Sequence, residues 1–142
     1  AKIHGDLQFD NVLLTNRGDF KLIDWRECFG DSDDYGDVYY DLAKIYSGLD
    51  LPYNTLKLKE VQLEWNGTFA SYELGVSSTL VSFRLTYEDW IKKHSYDLEK
   101  IKFLSALIHL NMAPLHPTPI GDILFLHSNL RLAQLCKGQL LI

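Results

Sequence analysis

Residues 4–25 read HGDLQFDNVLLTNRGDFKLIDW. The first eight positions gather His4, Asp6, Asp10 and Asn11 around apolar Leu7 and Phe9. Taken alone, these polar residues also suit a loop that satisfies its own backbone through side-chain hydrogen bonds. The adjoining segment favours a more specific role. Val12-Leu13-Leu14 gives way to Thr15-Asn16-Arg17-Gly18-Asp19 and then to Phe20-Lys21-Leu22-Ile23-Asp24-Trp25. Two β-prone runs around a turn rich in Asn, Gly and Asp predict a hairpin over residues 12–24. Its second strand ends on a carboxylate, Asp24, so the hairpin folds Asn11 and Asp24 back toward each other.

Phosphoryl transfer needs such a grouping. Its transition state leaves little covalent chemistry to the protein. The enzyme supplies an acceptor that orients the attacking hydroxyl, and hard oxygen ligands that hold magnesium on the phosphates. Asp6 suits the first task; Asn11 and Asp24 suit the second.

The pattern H-x-D-x-x-x-x-N followed by a strand-terminal Asp matches the catalytic loop and metal-binding Asp of protein kinases. The wording His4-Gly5-Asp6-Leu7, Leu22-Ile23-Asp24-Trp25 and Gly36-Asp37-Val38-Tyr39-Tyr40-Asp41-Leu42-Ala43 resembles the aminoglycoside phosphotransferase and choline kinase family more closely. Those enzymes phosphorylate small-molecule hydroxyls. The three motifs occupy roughly residues 3 to 49, in the family's order. The resemblance implies that Asp6 is the catalytic base or hydroxyl-orienting group, that Asn11 and Asp24 bind Mg2+ and through it ATP, and that Asp41 braces the catalytic loop. It makes His4 a structural residue of that loop. Two positions depart from the commonest wording: Gln8 stands where His is frequent, and Arg26 stands where an acidic residue is frequent, with Glu27 one place later.

The resemblance also implies a preceding nucleotide-binding lobe. Ala1-Lys2-Ile3 reads as the end of a strand entering the catalytic loop, and the 142 residues contain no glycine-rich G-x-G-x-x-G or G-x-x-x-x-G-K-[ST] run. The expected fold class is therefore α+β, mainly α: residues 1–142 as the C-terminal catalytic lobe of a protein-kinase-like fold with short β-hairpins, its N-terminal lobe supplied by the rest of the protein.

Composition narrows the classes. At 46% hydrophobic residues the chain is long enough for one domain with a core. A net charge of -5 argues against a nucleic-acid binder, which would carry a basic face. No apolar run approaches the roughly 20 residues of a membrane span, and no charged-then-apolar signal opens the chain. Cys28 and Cys136 have neither zinc-ligand spacing nor disulfide density. A reducing cytoplasm is the expected location.

Further along, Asp37 is placed to cap a helix over residues 38–47, with Leu42, Ile45, Tyr46 and Leu49 on one stripe and Gly48 as its terminator. After a loop around Pro52, Val61–Trp65 alternates and Asn66-Gly67 signals a second hairpin over roughly 60–74. Asn66-Gly67-Thr68 also matches a glycosylation acceptor; the turn accounts for the same residues. Thr86 and Asp89 read as a capping box that opens a helix through Trp90 and Ile91. A helical stripe of Leu98, Ile101, Leu104, Ser105, Ile108 and Met112 starts near Tyr96, and a last helix is expected from about Pro119 to Lys137 after the prolines at 114, 117 and 119. His94, His109, His116 and His127 lack metal-site spacing and read as packing or surface residues.

Asp31, Asp33, Asp34 and Asp37, with Tyr35, Tyr39 and Tyr40 beside them, could hold an amine or quaternary ammonium. As a plain solvated loop they leave the acceptor open among aminoglycoside, choline or ethanolamine, sugar and amino-alcohol. Two other classes share the carboxylates: a catalytically silent kinase-like module for binding or regulation, and a metal-dependent phosphohydrolase. The intact set of Asp6, Asn11 and Asp24 speaks against the first. The second lacks a further metal-ligand cluster or a nucleophile motif.

Overall fold

The structure, a computed structural model, describes residues 1–32, 35–52, 56 and 61–139. Among the described residues it is α+β and mainly helical, with two antiparallel hairpins and four longer helices. In the first hairpin β1 (Val12–Leu14) pairs with β2 (Phe20–Leu22), with Val12 opposite Leu22. Its turn closes because Thr15 Oγ1 accepts from the N–H groups of Arg17 and Asp19 and Gly18 takes φ +84°, a conformation costly for a side chain bearing Cβ. β3 (Val61–Trp65) and β4 (Ala70–Leu74) form the second hairpin. There Asn66 Oδ1 accepts from Thr68 and Phe69 N–H, at 3.2 and 2.8 Å, so the Asn66-Gly67 pair builds the turn as its sequence suggested.

Helix α1 (Val38–Asp50) starts where Asp37 Oδ1 accepts from Tyr39 N–H at 3.0 Å. It does not stop at Gly48, as its sequence suggested, but runs to Asp50. Gly48 answers a packing demand instead: a Cβ there would lie 2.8 Å from Phe9 Cδ2, so the missing side chain lets the Phe9 ring rest on the helix. Helix α2 (Ser78–Lys93) also departs from expectation. It begins eight residues before Thr86, with Ser77 Oγ capping Leu80 N–H. Thr86 is internal, its hydroxyl donating to the Ser82 carbonyl one turn back, an alternative that hydroxyl residues find within helices.

Helix α3 (Leu98–Met112) is capped by Asp97 Oδ1 on Lys100 N–H, and α4 spans Ile120–Gln139 after a short turn at Ala113–Leu115. Leu42, Ala43 and Tyr46 of α1 meet Ile91 of α2 and Leu98, Ile101 and Ile108 of α3 in one buried cluster. Leu51, Leu56, Ala113, Ile123 and Leu124 form a second, which Tyr72 and Leu74 of β4 cover. Met112 packs against both. Helix α1 is thus held between α2 and α3, and its N-terminal half supports the loop that carries His4 to Asn11. No helix among the described residues is long and apolar enough to cross a membrane.

Candidate active site

The loop is shaped by backbone groups that side chains satisfy. Asp41, one turn into α1 and 7% exposed, accepts from His4 N–H at 2.6 Å and from Gly5 N–H at 2.9 Å, one with each carboxylate oxygen. His4, 2% exposed, donates Nε2–H to the Ile23 carbonyl at 2.8 Å, and its Nδ1 faces Asp6 N–H at 3.3 Å. That network assigns the neutral tautomer with the proton on Nε2. Gly5 sits at φ +80°, and a Cβ on it would lie 2.7 Å from Arg26 Cβ, so both conformation and space require glycine.

Asn11, 6% exposed, donates Nδ2–H to the Asp6 carbonyl at 2.9 Å and, more weakly, to Asp6 Oδ2 at 3.4 Å. Its own carbonyl accepts from Ile23 N–H at 3.0 Å, continuing the hairpin ladder by one step. Asp24 comes next in the chain, exposed and at φ +59°, a left-handed conformation that Asp tolerates better than most residues at a cost of about 1–2 kcal/mol. The structure thus brings His4, Asp6, Asn11 and Asp41 into one bonded network. Asp24 joins them only through the backbone of its neighbour Ile23.

No group of three His, Cys, Asp or Glu side chains among the described residues is arranged to hold a metal ion. A magnesium bound with nucleotide needs no such cage, because phosphates and water complete its octahedron around one or two protein oxygens. Asn11 is anchored through Nδ2, so its Oδ1 is not used in that bond, and Asp24 is exposed on the neighbouring strand end. Both carry hard oxygen donors of the type magnesium takes.

Lys44, which carries no motif of its own in the sequence, enters here. It lies three positions after Asp41 on the same face of α1, is 8% exposed, and places Nζ 2.8 Å from Asp6 Oδ1. The contact is an ion pair rather than a well-directed hydrogen bond. A lysine three positions after Asp41, on the face of α1 that meets the loop, was the available signal.

Asp6 and Lys44 border a cavity of about 430 Å³, with Gln8, Arg26 and Tyr40 on one side and Leu104 to Leu115 beneath. Beyond Lys44 and Met112 a second hollow of about 290 Å³ reaches Phe9, Gly48 and His109. His109 is 3% exposed, with no hydrogen-bond partner at Nδ1. Burial, reinforced by the neighbouring His127 ring, pushes its pKa down to about 4 against the opposing pull of Asp50, so it is neutral at pH 7.

A second polar cluster, also unforeseen, lies at the end of α1. Asp50 accepts from His127 Nε2 at 2.7 Å, from Arg131 through a two-pronged fork at 3.0 and 2.5 Å, and from Arg84 at 3.1 Å. His127 Nδ1 takes the Tyr72 hydroxyl at 2.8 Å. Burial alone would push the Asp50 carboxyl up; the hydrogen bonds from His127 and Arg131 and the charge of Arg131 outweigh it and hold it well below the usual range. His109 is a buried packing residue, as expected; His127 is buried as well but belongs to the Asp50 network, hydrogen-bonded on both nitrogens.

Of the acidic run, Asp33 and Asp34 lie outside the described residues. Asp37 is paired with Lys100 Nζ at 3.1 Å, and the same ammonium lies 3.9 Å from the centre of the Tyr39 ring. The chain's own lysine therefore occupies this combination of carboxylate and aromatic face.

No protein-family model, no curated protein and no solved structure matches this chain.

Proposed function

We propose that the chain is the catalytic lobe, kinase-like in fold, of an ATP-dependent phosphotransferase that moves the γ-phosphoryl group to a hydroxyl of a small molecule. The observation that carries this reading is the placement of Asp6. Its backbone is held by Asn11 and His4, its carboxylate is aligned by Lys44, and it opens on a cavity large enough for a small acceptor. As the acceptor oxygen attacks the γ-phosphorus, Asp6 takes the hydroxyl proton while the bond to the bridging oxygen of the leaving diphosphate breaks. Lys44 keeps the receiving carboxylate in one orientation. Bound magnesium, for which Asn11 and Asp24 are the ligands, would offset charge on the phosphates.

Ile23 and Trp25 are exposed beside Asp24, and Leu14 and Phe20 at the turn end of the same hairpin, which leaves several apolar side chains in solvent along this edge. This exposure supports a covering partner at this edge, either the nucleotide or a preceding nucleotide-binding lobe.

The reading is tested in the complete protein by magnesium-dependent nucleotide titrations alongside steady-state rates. Asp24→Ala should remove most metal-dependent nucleotide binding, because the carboxylate supplies the charge that offsets magnesium's dehydration. Asp6→Asn should leave nucleotide binding in place while turnover falls about 10²- to 10⁴-fold, the range for an acid–base group. The opposite pattern, with Asp6→Asn abolishing nucleotide binding and Asp24→Ala sparing it, would reverse the assignment.

A further inference from the structure

From the charges around the Asp6 cavity we infer that the acceptor carries an anionic group, a carboxylate or a phosphate, recognised by Arg26, on an apolar body that ends in the reacting hydroxyl. The inference rests on reading Asp6 as the residue that receives that hydroxyl. Three formal charges border the cavity among the described residues: Asp6, Lys44 and Arg26. The first two cancel across 2.8 Å, which leaves Arg26 as the uncompensated one.

Arg26 has an exposed side chain that borders this cavity on one side and a small hollow beside Ile3, Phe29 and Tyr35 on the other. Its N–H donates to the His4 carbonyl at 3.0 Å, and its Cβ and Cγ pack on Gly5, so the backbone and stem are placed. No carboxylate of the described residues forms an ion pair with its guanidinium. A planar fork of donors at the mouth of a cavity suits a carboxylate or phosphate, which it can bind through two parallel hydrogen bonds. It would repel an ammonium.

The rest of the wall sets the body of the molecule. Leu104, Leu107, Ile108 and Met112 present hydrocarbon from α3, while Gln8 and Asn111 add polar groups at the rim. A hydroxyl compound with an aliphatic or aromatic middle buries that middle on α3 while its two ends meet Asp6 and Arg26. Of the residues that could hold an amine, Asp37 and Tyr39 are already engaged by Lys100.

The test uses matched probes of equal chain length, titrated calorimetrically into the complete protein at low ionic strength without nucleotide. They are ω-hydroxyhexanoate, ω-hydroxyhexyl phosphate, ω-aminohexanol and hexanediol. One of the two anionic probes should bind about tenfold or more tightly than the amine and the diol, the size of a charge-assisted hydrogen bond. The tighter of the two identifies the anionic group. Arg26→Glu should invert the order between anion and amine, and Arg26→Lys should keep it with weaker affinity. Equal binding of all four probes, preference for the amine, binding of none, or an order unchanged in Arg26→Glu would each overturn the inference. Because no phosphate is transferred in this measurement, loss of the phosphotransferase reading and loss of the acceptor assignment are separate results.

Discussion

His4 and Asp41 stand 37 positions apart, and the Asp41 carboxylate takes the His4 and Gly5 N–H groups together. Helix α1 thereby sets the conformation of the loop that carries Asp6. The two N–H donors are buried, and no water can replace a lost acceptor there without cost.

Asp41→Asn turns one acceptor oxygen into a donor that faces an N–H. Stability should fall by about 1–3 kcal/mol, the cost of leaving a buried donor unsatisfied. Turnover should fall with it while the magnesium concentration needed for half-maximal nucleotide binding stays unchanged. Urea denaturation together with magnesium titrations checks both halves. A shifted magnesium requirement would show that Asp41 acts on the metal ligands instead of the loop.

Asp50→Ala should be the most damaging single change at the second polar cluster. It leaves the buried His127 without its acceptor and the partly exposed Arg131 and Arg84 without their shared counter-charge, an effect of about 1–3 kcal/mol. The wild-type carboxyl titrates below its ordinary value in the folded state. Its stabilisation is therefore complete above that ordinary value and is lost as pH falls toward the lower folded one. Thermal unfolding of wild type and variant should differ most near neutrality and converge in strong acid.

His109 governs a higher window. Its folded pKa is about 4 against an ordinary 6.5, so between these values the unfolded chain binds the extra proton. Its contribution to stability is present above pH 6.5 and declines by about 1.4 kcal/mol per unit as pH falls toward 4. His109→Leu should flatten that part of the profile. A denaturant series at several pH values reads the slope directly, and an unchanged slope would place the titration elsewhere.

The chain assayed alone should turn over ATP poorly, because its 142 residues contain no glycine-rich loop to cover the phosphates. Steady-state rates approaching the roughly 1 to 100 per second of kinases would overturn that expectation.

Local chemistry was legible wherever a short segment decides its own structure. Asn66-Gly67 and the Thr15–Asp19 run make their turns through their own side chains, and Asp37 caps α1 through a bond two positions away. Gly48 and Thr86 mislead for the converse reason. Gly48 reads as a terminator until the Phe9 ring is seen against it, and Thr86 reads as a cap although its hydroxyl has the Ser82 carbonyl within the same helix.

By itself the sequence determined the two hairpins, the helical stripes and the approach of Asn11 to the strand end at Ile23, because each depends on spacing within a few residues or across one turn. Tertiary structure alone decided that Lys44 meets Asp6, that Arg26 borders the same cavity, and that Asp50 gathers His127, Arg131 and Arg84. The Lys44 and Asp50 contacts join side chains brought together by packing α1 against its neighbours. Their energy comes from burial and low local dielectric, which no local pattern of residues encodes.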